Sequence, residues 1–130
     1  MPKKAMESLT ESMFYVLMAL MRRPMCGIEA VRFVSDKTAG RISIGPATLY
    51  TVLAKFESEG YIEETEVEGR KRTYRITEKG RGAYMAELRR LETMAEDART
   101  EELVYGQRYA GHGKADTLRG LRYRRAAKLF

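Results

Sequence analysis

The stretch Ser43–Lys79, quoted with its flanking Ile42 and Gly80 as ISIGPATLYTVLAKFESEGYIEETEVEGRKRTYRITEKG, decides the fold. Gly45-Pro46 opens a helix, since proline suits the first helical position, where its missing N–H has no partner to lose. Leu49, Val52, Leu53 and Phe56 recur at helical spacing and form one apolar stripe. Thr48, Tyr50, Thr51 and Lys55 fall off that stripe, and Gly60 ends the helix. Tyr61–Val67 and Lys71–Ile76 come next, rich in Tyr, Ile, Thr and Val, as two strands. Glu68-Gly69 or Gly69-Arg70 makes the turn, and Arg70, Lys71 and Arg72 crowd its tip. Thr77 then caps another helix. Helix, basic hairpin, helix is the order of a helix-turn-helix with a wing, which sets one helix in a DNA groove and a hairpin against phosphates.

Upstream, Ser8-Leu9-Thr10-Glu11 has capping-box spacing, with Ser8 as N-cap. Leu9, Met13, Val16, Leu17 and Leu20 recur at helical intervals to Arg22-Arg23, and Pro24 stops the run. Phe14, Met18 and Met21 make this first helix apolar on its other face too, so it is expected to bury against a partner subunit as well. Gly27 to about Lys37 reads as a second helix with Ile28, Val31 and Val34 toward the core, broken by Gly40. Arg41–Ser43 is a candidate short strand. On the fourth helix, Tyr84, Leu88, Leu91, Ala95 and Ala98 repeat in steps of four and three, a heptad seam that calls for a partner helix. Gly106, Gly111 and Gly113 interrupt the chain beyond it.

The fold class expected is mainly α with a small β-hairpin (α+β): a winged helix-turn-helix over residues 1–80, a dimerisation helix over 81–105, and a basic tail over 106–130. The tail segment Lys114–Phe130 holds six basic residues against Asp116, most of the chain's net charge of +6. It fits added contacts to a DNA backbone, packing on a dimer, or disorder; membrane-surface binding fits less well. A pI near 9.5 agrees with an anionic partner.

Composition excludes several classes. A single cysteine allows no internal disulfide and suits a reducing compartment. The longest apolar run, Met13–Met21, is far short of the ~20 residues a bilayer span needs, and no cleavage site comes after it. The chain is therefore expected in the cytoplasm, with no membrane partner. Cys26 and His112 are the only cysteine and histidine, too few for a zinc site or a nucleophile–base pair, so neither metal, cofactor nor enzymatic activity is expected. Cys26 reads as a small buried residue, and His112 as a loop residue between glycines. Met13, Met18 and Met21 are first of all core, though methionine also repacks around varied apolar ligands.

Thr10–Leu88 resembles the PadR family of bacterial transcriptional regulators. The matching pieces are Tyr15-Val16-Leu17-Met18-Ala19-Leu20, Gly27-Ile28-Glu29, Pro46-Ala47-Thr48-Leu49-Tyr50, Glu57-Ser58-Glu59-Gly60-Tyr61-Ile62, Gly69-Arg70-Lys71-Arg72-Thr73-Tyr74 and Thr77-Glu78-Lys79-Gly80. The resemblance implies a homodimeric winged-helix repressor on a palindromic operator, often relieved by a small hydrophobic effector. It implies that the fourth helix packs on the partner's first helix. The chain departs from the family in three places. Cys26-Gly27-Ile28 stands where members commonly have His-Gly-Tyr, and Gly45 where serine is frequent. Leu91 lies on the helix face where some members carry drug-stacking tryptophans, and this chain has none.

The expected DNA-binding residues are Pro46, Ala47, Thr48, Tyr50 and Lys55 on the third helix and Arg70, Lys71 and Arg72 on the wing. Ala47 and Thr48 suit thymine methyls, and Tyr50 and the cations suit phosphates. Glu63, Glu64, Glu66 and Glu68 partly cancel the wing's field. The expected dimer interface is Met13, Leu17 and Leu20 with Tyr84, Leu88, Leu91, Ala95 and Ala98. A competing reading keeps the winged-helix shape but uses the apolar first helix and heptad fourth helix as a protein-docking module without specific DNA binding.

Overall fold

The computed structural model describes residues 8–108. His112 and the basic segment Lys114–Phe130 lie outside the described residues. The elements run α1 (Glu11–Arg22), β1 (Met25–Cys26), α2 (Gly27–Lys37), α3 (Pro46–Glu59), β2 (Ile62–Glu68), β3 (Lys71–Ile76) and α4 (Glu78–Arg108). Two compact units meet within α4, between Leu88 and Arg89.

The first unit is the helix-turn-helix and wing. Its core takes Met13, Val16, Leu17, Ala19 and Leu20 from α1 and Leu49, Val52, Leu53 and Phe56 from α3. Phe56, Leu17, Val16 and Val34 are the largest side chains fully enclosed. The α3 stripe read from the sequence is thus the buried face.

Four details differ from expectation. The N-cap of α1 is Thr10, whose hydroxyl accepts the Met13 N–H at 3.2 Å, not Ser8. Glu11, needed by the other capping box, is the first helical residue and pairs instead with Arg41. Ile28 is 72% exposed, and α2 buries Ala30 and Val34. At about 100° per residue Ile28 sits roughly 120° around the helix from Val34, so the two do not share a face. Arg41–Ser43 is not a strand. The third strand is Met25–Cys26, which pairs antiparallel with β3 through Met25↔Tyr74 and Cys26↔Thr73. The sheet order is β1-β3-β2, with a bulge between Glu64 and Glu66.

Cys26 is buried and caps α2 through its backbone: its N–H donates to the Glu29 carboxylate at 3.2 Å, half of a capping box. Arg23 reaches the other Glu29 oxygen at 2.9 Å. The Cys26 backbone N–H, then its thiol, then Arg23, hold the Glu29 carboxyl at about 2 instead of 4.5.

Where α3 ends, Gly60 adopts φ +75°, a left-handed conformation that glycine accepts without a Cβ penalty. Thr77 returns to the same place. Its N–H donates to the Tyr61 carbonyl at 2.9 Å, its hydroxyl to the Gly60 carbonyl at 2.6 Å, and that hydroxyl accepts the Gly80 N–H at 3.1 Å. Gly80 sits so close that a Cβ there would lie 2.1 Å from the Tyr61 carbonyl oxygen.

The remainder of α4 is a separate unit. Gly106 does not interrupt it: the helix continues to Arg108. A lone glycine costs a helix only about 1 kcal/mol, and no proline stands beyond it to enforce a stop. Leu91, Met94, Leu103, Val104 and Tyr105 are exposed along it. Thr93 and Thr100 return their hydroxyls to the carbonyls of Arg89 and Glu96. Among the described residues, no helix is long and apolar enough to cross a membrane.

Because the Glu29 carboxyl sits below its ordinary 4.5, its stabilisation is full above that value and fades as pH falls toward about 2. Urea unfolding of the native chain and Glu29→Gln across acid pH is expected to show a stability gap that closes over that window; a constant gap would exclude the ion-linked contribution. Gly80→Ala is expected to lower stability by about 2 kcal/mol or more, because the clash is with backbone that cannot swing aside. A thermal midpoint within a degree or so of the native chain would contradict the close approach.

Candidate nucleic-acid interface

The presentation of α3 starts from a restrained turn. Thr38 donates its hydroxyl to the Val34 carbonyl at 2.8 Å and accepts the Ile42 N–H at 3.0 Å. Arg41 reaches back to α1, donating to Glu11 at 2.5 Å and to the Tyr15 hydroxyl at 3.0 Å, with its guanidinium 5.8 Å from the Tyr15 ring centre. Those bonds, Glu11 first and Tyr15 next, push the Arg41 pKa up, so it stays a cation. The lead-in to α3 is thereby held at Thr38, Arg41 and Ile42.

The first turns of α3 present Pro46, Ala47, Thr48 and Tyr50 to solvent, and Lys55 stands exposed further along. Tyr50 is 71% exposed, which excludes it as a packing residue within this chain. Gly45 contributes no side-chain cap, and Pro46 stands at the start of the helix. The early N–H groups are therefore not covered by a side chain, an arrangement that favours an anionic oxygen. Thr51 turns its hydroxyl to the Ala47 carbonyl at 2.9 Å, leaving Thr48 as the polar side chain at the helix start. An exposed face with one small apolar residue, one hydroxyl and one phenol is suited to base edges and phosphates in a major groove.

The wing is β2 and β3 joined at Gly69-Arg70, and its tip cations Arg70, Lys71 and Arg72 are all exposed. They are not equivalent. Arg72 donates to Glu64 at 3.4 Å, whereas Arg70, Lys71 and, on α3, Lys55 have no ion pair among the described residues. Tyr74 is buried and faces the core from β3; burial first, then the neighbouring Glu57 and Glu64, raises its hydroxyl pKa.

The structure separates the residues expected at a dimer interface. Met13, Leu17 and Leu20 are already buried, at 5%, 0% and 3% exposure, in the protomer's own core, which α1 shares with α2 and β3. The face of α1 left over carries Phe14, Met18 and Met21, each half-buried. Phe14 stacks on Tyr84 at 4.9 Å, with the rings 7° from parallel. Leu88 is half-buried, and Leu91, Ala95 and Ala98 are exposed.

Two positioning residues carried no usable sequence signal. Arg41 contacts α1 across a separation of 26 to 30 residues. Glu87, buried at 6% exposure, accepts the Leu9 N–H at 3.3 Å, and a glutamate on a helix otherwise reads as a solvated charge.

Replacing both free tip cations, Arg70→Ala with Lys71→Ala, is expected to weaken binding to any duplex and to flatten the slope of log affinity against log salt by about 1.8, roughly 0.9 for each phosphate no longer neutralised. Fluorescence anisotropy over a salt series measures it, and an unchanged slope would remove the tip from the interface.

The family model described as "Transcriptional regulator PadR-like family" matches residues 16–86, more than half of the chain. No curated protein sequence matches. Among solved structures, a transcriptional regulator from Clostridium thermocellum superposes with a TM-score of 0.62 at 28% identity, over 68% of this chain and 87% of that one. A PadR family transcription regulator from Clostridium difficile gives 0.60 at 13% identity, over 72% and 99%. BpsR of Bordetella bronchiseptica, whose DNA binding is regulated by 6-hydroxynicotinic acid, gives 0.57 at 16% identity, over 97% and 79%. The last two are likenesses of fold alone.

Proposed function

The chain belongs to the PadR-like family of transcriptional regulators, and from that premise we propose that it acts as a homodimeric repressor on a palindromic operator. The observation that carries the reading is the exposed start of α3, with Pro46, Ala47, Thr48 and Tyr50 outward and its apolar stripe buried. Two copies of α3 enter successive major grooves about 34 Å apart, one turn of B-DNA. Lys55, Arg70 and Lys71 hold phosphates, and Arg72 joins them when it leaves Glu64.

Dimerisation is proposed through Tyr84, Leu88, Leu91, Ala95 and Ala98. Their exposure rises along the helix, from half-buried Tyr84 and Leu88 to exposed Leu91, Ala95 and Ala98. An exposed apolar seam of this spacing is what a partner helix covers. Phe14, Met18 and Met21 supply the α1 side of the interface, in place of the core residues Met13, Leu17 and Leu20. The same half-buried methionines suit a small hydrophobic effector, which relieves repression by favouring a dimer with the wrong spacing between recognition helices. Control of DNA binding by a small acid in BpsR supports this reading by analogy of fold.

The test is anisotropy of the full chain on the DNA upstream of its own gene against a scrambled duplex, over a salt series. Two chains per duplex, with preference for the upstream DNA surviving near-physiological salt, is expected. Thr48→Val with Tyr50→Phe is expected to reduce affinity for the upstream DNA tenfold or more, each polar interaction removed being worth about 1 kcal/mol. Equal, weak binding to both duplexes would move a protein-docking role ahead.

A further inference from the structure

The wing has no net charge. Glu63, Glu64, Glu66 and Glu68 on β2 match Arg70, Lys71, Arg72 and Arg75 on the turn and β3. Over residues 8–108 the balance is also zero, sixteen Lys and Arg against sixteen Asp and Glu. This part of the chain therefore exerts no general pull on DNA, and attraction comes from individual cations with free charge.

The register decides which cations those are. Glu63 stands opposite Arg75, and the Arg75 guanidinium grips it through both Nε and Nη2. Glu64 stands opposite Tyr74. The bulge after Glu64 then inserts Thr65, so that Val67, rather than Glu66, faces Arg72. Arg72 has no carboxylate directly across from it and reaches back to Glu64 at 3.4 Å. Glu66 is moved opposite Thr73, and Glu68 faces Lys71 without an ion pair among the described residues. Arg72 and Arg75 remain 63% and 59% exposed, so each is partnered yet open to a competing phosphate.

The geometry points to Glu63 and Glu64 as resident counter-charges that hold Arg75 and Arg72 away from casual phosphate contact and so sharpen discrimination between DNA sequences. The inference rests on the DNA-binding reading above. Non-specific association is driven almost wholly by free cations meeting phosphates and releasing counterions. An arginine that must leave a carboxylate to meet a phosphate exchanges one exposed ion pair for another and gains little. A complex already seated by base contacts from α3 can hold the wing close long enough for the exchange. A passing encounter cannot, and of the wing's cations it engages Arg70 and Lys71.

Two double variants of the full chain separate pairing from plain charge. Glu63→Gln with Glu64→Gln frees both arginines. Glu66→Gln with Glu68→Gln removes the same charge but breaks no ion pair. Anisotropy on a scrambled duplex over a salt series is expected to show the first double steepening the log–log slope by up to about 1.8, two phosphates at roughly 0.9 each. The second is expected to steepen it by half of that or less. Equal shifts in both doubles, a larger shift in the second, or none in the first would overturn the inference while leaving DNA binding intact. A native chain that binds no duplex at low salt would overturn the DNA-binding reading itself. Exposed glutamines leave the fold in place, which matching thermal midpoints check.

Discussion

One peptide carbonyl, that of Tyr61, fixes the working geometry of the first unit. It accepts the Thr77 N–H, and the bare Cα of Gly80 rests against it. The end of α3, the roots of both wing strands and the start of α4 are therefore referenced to a single point. The Tyr61 ring adds to the same node, lying 6.0 Å from the Phe56 ring on one side and 5.7 Å from the Lys79 ammonium on the other. Burial pushes the Tyr61 hydroxyl up, which keeps it neutral. A wing hinged on a flexible linker would pay the entropy of ordering each time it met DNA; one anchored by hydrogen bonds and a packing contact arrives in position.

The opposite side of the unit is closed by aromatic rather than backbone contact. Phe14 stacks on Tyr84, and Tyr15 meets the Phe14 edge at 76° while its hydroxyl takes a hydrogen bond from Arg41. Arg41 is also the residue that ties down the lead-in to α3. The first turns of α1 thus hold the base of α4 and the approach to α3 together. A change in how α1 packs has a direct mechanical route to the face that α3 presents.

Much of this was legible in the residues. Leu49, Val52, Leu53 and Phe56 show a stripe because α3 buries one face only, and Pro46 and Gly60 mark its ends for conformational reasons that hold in any context. The basic turn, the Thr77 cap and the α+β class were legible in the same way. The hidden features depended on partners distant in sequence. Two residues are too few to show alternation, so β1 is invisible until β3 is there to pair with it. Ser8 and Thr10 carry the same chemistry, and the choice between them turns on Glu11 being drawn to Arg41. Met13, Leu17 and Leu20 look like surplus apolar area until α2 and β3 close the core around them. The three tip cations read as one cluster, and only the bulge reveals that Arg72 is engaged while its neighbours are not.

The glutamates of β2 also bear on solubility. This strand is an outer edge of the sheet, and all its residues after Ile62 are exposed. Such an edge offers a row of open backbone donors and acceptors, a template on which another strand can add. A second copy docking there would bring two rows of carboxylates side by side, and the bulge between Glu64 and Glu66 spoils the straight register such an addition needs. The wing can thus stand open to solvent between encounters without seeding aggregation.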